Sequence, residues 1–308
     1  MSISDCSPLE RPADGAGLLR DILVLGKARI CLMAVLTGFA AIAIESGRVV
    51  VDLPVIFCLL ALFCMGMGAN TLNQILERER DARMQRTCHK RPLPSGRMSV
   101  ATASYLAASF LLCSVAILWF VHASPWAVAL AVFTVLYYSC FYTLLLKPRT
   151  YLSIVIGGVP GAMGPPIAWA ALSDRFSWTP VWMFLIIFLW TPPHVWALTI
   201  HLKEDYARAG IPMLPVVKGV QETARQVFLY AVVMVAGILA IALFCEDFQR
   251  SVIFLWTSTA LGIWFLVLAF RLWRSEPRPP SLRLFHFSLV HIGGIFLALV
   301  ADVLVNAS

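Results

Sequence analysis

The sequence predicts an all-α, polytopic membrane protein with nine transmembrane helices, and three observations carry that reading. Of 308 residues, 60% are apolar and 13% charged, against about 45–50% and about 25% in an ordinary soluble domain. With a mean hydropathy of +0.81, the chain has too little polar surface to cover a water-soluble globule. Apolar runs long enough to cross a hydrocarbon core of about 30 Å, which takes about 20 helical residues, recur at nine places. Lys and Arg are divided between alternate loops in the way that fixes orientation in a bilayer. The formal charge of +7 is therefore the basic loop content of a membrane protein and not a nucleic-acid footprint. Disordered, collagenous and disulfide-scaffold classes are excluded.

Residues 1–21 carry Asp5, Glu10, Asp14 and Asp21, too acidic for a transit peptide and without the basic start of a cleavable signal. They read as a cytoplasmic tail, followed by a single intramembrane domain over 22–308. The expected spans are 22–45, 53–76, 100–121, 126–146, 152–172, 180–201, 226–245, 251–271 and 284–305. Pro125 and Pro180 suit helix starts, where no amide donor is required. With the N-terminus in the cytoplasm, 21 of the Lys and Arg fall inside and only Arg48, Arg175 and Arg250 outside. The eight cysteines form no CxxC pair and lie mostly in apolar runs, as small buried hydrophobes do.

Charge concentrates in two segments. The first closes span two: NTLNQILERERDARMQRTCHKRPLPSGRMS. On a helix Asn73, Glu77 and Asp81 sit at i, i+4 and i+8, with Asn70 three residues earlier, so all four project from about one face. Oxygen ligands at a membrane mouth suit Mg²⁺, which takes one or two carboxylates and completes its shell with water and substrate phosphate. The same spacing suits a solvated helix end, so spacing alone leaves both open. The second segment, WTPPHVWALTIHLKEDYARAGIPMLPVVKG, places Lys203, Glu204 and Asp205 just after span six. Two acidic clusters on one face could bracket a diphosphate through metal ions while Lys and Arg neutralise its oxygens.

The first segment resembles the N-x-x-x-D-x-x-x-D element of the UbiA-type intramembrane prenyltransferases. DARMQRT with RPLPSGRMS, YTLLLKPRTYLSIVIGG, GAMGPPIAWAA, FLWTPPHVWAL and EDYARAGIPMLPVV are similar to the branch of that family that farnesylates heme, the heme O synthases. The resemblance runs from Lys27 to the final span. It implies nine helices around a central cavity, Mg²⁺ as cofactor, farnesyl diphosphate as donor, heme b as acceptor, and an inner membrane location with a heme-processing or oxidase-assembly protein as partner. It places the catalytic set on Asn73, Glu77, Asp81, Asp205 and Tyr206, with Asn73, Glu77, Asp81 and Asp205 as metal ligands. Arg86, Lys90, Arg91, Lys147 and Lys203 are the cations available to the diphosphate. Where Glu77 stands the family more often has Asp, so the carboxylate is kept on an arm one methylene longer.

An ionisable residue within a span is a functional candidate, and His194, after Pro192 and Pro193 in span six, could face the porphyrin or simply bond a carbonyl freed by the prolines. His122, His286 and His291 read as packing or boundary residues, and Asp302 in the last span has no evident role. Gly157 and Gly161 have the spacing of close helix packing, or line a cavity wall. Two other functions compete: the same donor chemistry on an aromatic acceptor, as in quinone biosynthesis, and a non-catalytic transporter or heme-binding protein. DYARAGIPMLPVV weighs against the first, since quinone-forming relatives tend to carry a second aspartate-rich element there. Acids clustered at one mouth, without an internal repeat, weigh against the second.

Overall fold

The computed structural model describes residues 15–173, 175–274 and 278–307; most of the expected tail, residues 1–14 with Cys6, lies outside them. Among the described residues nine helices are long and apolar enough to cross a membrane: Ala28–Ser46, Leu53–Asp81, Val100–Val121, Pro125–Leu146, Ser153–Leu172, Thr179–His201, Val220–Phe244, Val252–Arg274 and Ser281–Asn306. Each expected span is present. They are numbered one to nine below. Consecutive spans pack on each other over most of the chain, span one also packs on spans five and nine, and span nine returns to span six. In lipid every backbone polar group needs an internal partner, and the starts of the spans show how this is met. Asp52 accepts the Val55 amide at 3.0 Å, Ser99 that of Thr102 at 3.0 Å and Ser124 that of Ala127 at 3.1 Å.

Four features depart from a plain reading of apolar runs. Residues 22–45 do not form one span, because the helix Gly15–Leu25 ends before Lys27 turns left-handed (φ 52°, ψ 48°) and span one begins at Ala28. A Cβ at Gly26 would lie 2.3 Å from the end of the Met67 side chain and 3.3 Å from its Cα, so the chain passes close to span two here and any larger residue would push Met67 aside. Arg97 then clamps Asp21 with bonds of 3.0–3.2 Å. Span two runs five residues further than its apolar run, to Asp81, which keeps the whole Asn-Glu-Asp series on one helix. Span five is broken into Ser153–Ile156, Val159–Ala162 and Gly164–Leu172, as its glycines and prolines dictate. Gly157 is in close packing, since a Cβ there would meet the Tyr142 ring at 2.1 Å, whereas Gly161 faces open space.

Fourth, spans three and four finish as π-helix, over Ile117–Val121 and Tyr137–Leu146. The His122 amide reaches back five residues to the Ile117 carbonyl, and that of Lys147 to Tyr142. Span six, in contrast, stays a single helix through Pro192 and Pro193.

Asp302 acquires a structural role. Its carboxylate, 4% exposed, accepts the backbone amides of Ile253 at 2.9 Å and Phe254 at 2.7 Å, so span nine supplies the cap for the start of span eight. Removing a helix cap costs about 1 kcal/mol, up to about 2. Asp302→Ala is expected to lower the thermal unfolding midpoint in detergent. Asp302→Asn, which keeps one acceptor oxygen, should fall between it and the parent protein, and an unchanged midpoint for the alanine variant would refute the capping role.

Candidate active site

Span two delivers Asn73, Glu77 and Asp81 to one face, and burial decides what that face is. The three residues are 1%, 2% and 0% exposed, so they are not a solvated helix end. Each polar group is met by a cation. Lys27 Nζ donates to Asn73 Oδ1 at 2.9 Å and lies 3.5 Å from the Tyr138 hydroxyl. Lys147 Nζ pairs with Glu77 Oε1 at 2.5 Å, and Arg91 pairs with Asp81 Oδ2. Asn73 Nδ2 donates to Thr143 Oγ1 at 3.1 Å, and the Tyr138 hydroxyl donates to Asn70 Oδ1 at 3.4 Å. Burial, reinforced by Arg91 and Lys147 against the pull of Glu77 and Asp81, pushes the Lys27 ammonium down to about 7.

The π-helix explains how span four can serve three of these contacts. Nine residues of α-helix are about two and a half turns, which would put Tyr138 and Lys147 on opposite sides. Bonding to the fifth residue winds the helix more slowly. Tyr138, Thr143 and Lys147 then share the face towards span two.

The second loop joins the first at the same mouth. Asp205 Oδ2 accepts the Arg86 backbone amide at 3.3 Å, while its Oδ1 pairs with Arg208. Tyr206, beside it on the helix Lys203–Arg208, is buried. Asp81 Oδ1 and Arg86 Nε are both buried without a hydrogen-bond partner, so the cluster retains one acceptor and one donor for a further group. Among the described residues no three His, Cys, Asp or Glu side chains are placed to hold a metal ion by themselves. A metal here would complete its shell with water and substrate oxygens, which is how Mg²⁺ is usually held.

Of the residues expected from sequence, Asn73, Glu77, Asp81, Arg91 and Lys147 form one cluster, and the Arg86 backbone amide ties the loop after Asp81 to Asp205, with Tyr206 alongside. Lys203 is half-buried but makes no side-chain bond to the cluster. Lys90 is exposed and contributes only its carbonyl, to Arg97 at 3.0 Å. His194 lies apart, where span six meets span nine, bonded to the Ser288 hydroxyl at 2.5 Å and not to a freed carbonyl. Sequence reasoning passed over Lys27, Tyr138 and Thr143. Lys27 was visible as a lone cation at the start of span one and Thr143 as the residue one helical turn before Lys147, but nothing in the spacing points Tyr138 at span two.

Among the described residues, nine helices long and apolar enough to cross a membrane surround a buried, ion-paired polar cluster, the architecture of an intramembrane enzyme. The chain belongs to the UbiA prenyltransferase family, which matches residues 34–290. It is 38% identical to the protoheme IX farnesyltransferase of Parvibaculum lavamentivorans over 94% of this chain and 91% of that one, and 38% identical to that of Erythrobacter litoralis over 96% and 95%. In fold it is similar to a structure of a UbiA homolog from Archaeoglobus fulgidus bound to DMAPP and Mg²⁺, with a TM-score of 0.62, 17% identity and coverage of 91% of this chain and 99% of that one.

The Lys147–Glu77 pair is 12% and 2% exposed, and breaking such a pair leaves a buried charge unmatched, typically at about 3–5 kcal/mol. Lys147→Met should therefore destabilise the protein markedly in detergent unfolding. The double variant Lys147→Met with Glu77→Gln should recover most of that loss without recovering activity. Additive losses would show that the two side chains do not compensate each other.

Proposed function

We propose that this protein transfers the farnesyl group of farnesyl diphosphate to a vinyl group of heme b, in a Mg²⁺-dependent reaction at the mouth formed by the two loops. The observation that carries the reading is the Asp205–Arg86 contact, because it brings the second acidic segment to the loop that follows Asp81. The names and the Mg²⁺ and prenyl-diphosphate complexes of its relatives support the acceptor and the donor class. The protein lies in a bacterial inner membrane with its N-terminus cytoplasmic, a reading supported by the 21 to 3 division of Lys and Arg.

Leaving diphosphate carries extra negative charge while the allylic carbon gains cationic character, so the site must stabilise the first and keep water from the second. Asn73, Glu77, Asp81 and Asp205 would hold Mg²⁺, which when bound draws charge from the diphosphate oxygens. Lys27, Arg91 and Lys147 neutralise the acids while the donor is absent and turn to the diphosphate when it arrives. Arg86, whose Nε has no partner, offers a further donor at the junction of the loops. Tyr206 closes the mouth beside Asp205. The isoprenoid chain lies among apolar spans, where burial of its apolar surface is favourable. The vinyl group then attacks as a π-nucleophile, its terminal carbon bonding the allylic carbon while the diphosphate leaves with the electron pair of the broken C–O bond. Water adds to the cation left on the inner vinyl carbon and loses one proton to solvent, giving the hydroxyethylfarnesyl side chain.

Incubation of the purified protein with heme b, farnesyl diphosphate and Mg²⁺ should yield a heme heavier by one farnesyl group and one hydroxyl, read by mass spectrometry. Product from 4-hydroxybenzoate and none from heme would overturn the assignment of acceptor. Asp81→Ala should lower turnover by about two orders of magnitude in a folded protein. Near-normal turnover there would remove Asp81 from the site.

A further inference from the structure

The polar cluster makes no use of His194, yet the bonds around this residue determine its tautomer. Its ring stacks between Trp190, with centroids 4.1 Å apart and planes 18° apart, and Phe285, at 4.8 Å and 27°. Trp190 Nε1 donates to the Ser288 carbonyl at 2.9 Å, tying span six to span nine at this level. The Ser288 hydroxyl has one proton, and it donates that proton to the Phe285 carbonyl at 2.6 Å. Its oxygen is left to accept from His194 Nδ1, 2.5 Å away. Nδ1 therefore carries the imidazole proton and Nε2 presents a lone pair.

Nε2 makes no hydrogen bond among the described residues, and the side chain is only half-buried. His291, one turn along span nine, is a useful contrast. It is 0% exposed, packed edge-on against Phe265, with neither ring nitrogen bonded. His291 has neither a group to fix its tautomer nor room for a ligand. His194 has both. An imidazole that gives its Nδ1 proton to a fixed acceptor and keeps Nε2 open is the arrangement by which histidine binds metals.

We propose that His194 Nε2 coordinates the iron of the porphyrin acceptor, and that Ser288 is the positioning residue that holds the ring in the ligating tautomer. This rests on heme being the acceptor. The ligand would fix the porphyrin against span six about 10 Å below the end of the helix at His201, seven residues on at about 1.5 Å each, so that one edge of the macrocycle reaches towards the mouth. The stacked rings of Trp190 and Phe285 restrict rotation of the imidazole and so set the plane of the porphyrin.

The test uses the full-length protein in detergent with two probes, iron protoporphyrin IX and metal-free protoporphyrin IX, and reads both affinity and the electron paramagnetic resonance of the ferric complex. The parent protein should bind the iron porphyrin more tightly and show a nitrogen axial ligand. His194→Ala should abolish that signature and bring the two affinities together. Ser288→Ala should weaken iron-porphyrin binding by about 10- to 100-fold and alter the signature, Ser288→Thr should restore it, and farnesyl diphosphate affinity should stay unchanged as the control for folding. An axial signature that survives His194→Ala, or equal losses for both porphyrins, would overturn the ligation. If heme is farnesylated all the same, the acceptor reading stands without it. If neither heme product nor iron-porphyrin binding is found in the parent protein, both fall.

Discussion

Glu77 carries a carboxylate into a site that water scarcely reaches, and its ion pair with Lys147 is what allows it to stay there. Moving an unpaired charge out of water costs several kcal/mol even after relaxation. The mouth of this bundle contains Glu77 and Asp81 within a turn of each other, both essentially without exposure. Their counter-charges come from different parts of the chain, Lys147 from the end of span four and Arg91 from the loop after span two, while Lys27, from the start of span one, bonds Asn73 beside them. The cluster therefore exists only once these segments have packed, and the helices around the mouth are registered by it. In the proposed reaction the arriving diphosphate competes with these carboxylates for the same cations.

Much of this was legible in the sequence, for definite reasons. The spans follow from hydropathy, because a bilayer permits few alternatives to helices of the right length. Asn73, Glu77 and Asp81 follow from the α-helical period, which the structure keeps as far as Asp81. Asp205 follows from its place just after an even-numbered span, the same parity as Asp81. What was hidden arises where the chain departs from regular α-helix. Tyr138 shares the site with Lys147 because span four unwinds into a π-helix, since at a period of 3.6 the two would lie on opposite sides of the helix. Lys27 reaches Asn73 because the chain turns left-handed at that residue, a turn that the continuous apolar run over 22–45 conceals. Lys90 shows the opposite limit: its charge fits the loop, but Arg97 holds its carbonyl and the side chain stays in the open.

Spans six to nine form the other part of the bundle, and their polar residues work differently. Asp302 spends its charge on two amides of span eight, and Ser288 spends its hydroxyl on a carbonyl and an imidazole. These are local bonds that join neighbouring helices, not a shared network. In the proposed reading, donor chemistry at the mouth and acceptor binding at the contact of spans six and nine use separate residues, and span one packs against both spans two and nine.

The central claim is that two loops more than a hundred residues apart act on one diphosphate. A double-mutant cycle on farnesyl diphosphate affinity in the presence of Mg²⁺, with Asp81→Asn, Asp205→Asn and the pair, tests it most directly. Groups that share a ligand are expected to couple by about 0.5–3 kcal/mol, so the double variant should bind the donor measurably differently from the sum of the single losses. Losses that add to within about 0.5 kcal/mol would show that the two carboxylates act independently, and the single mouth would then have to be abandoned.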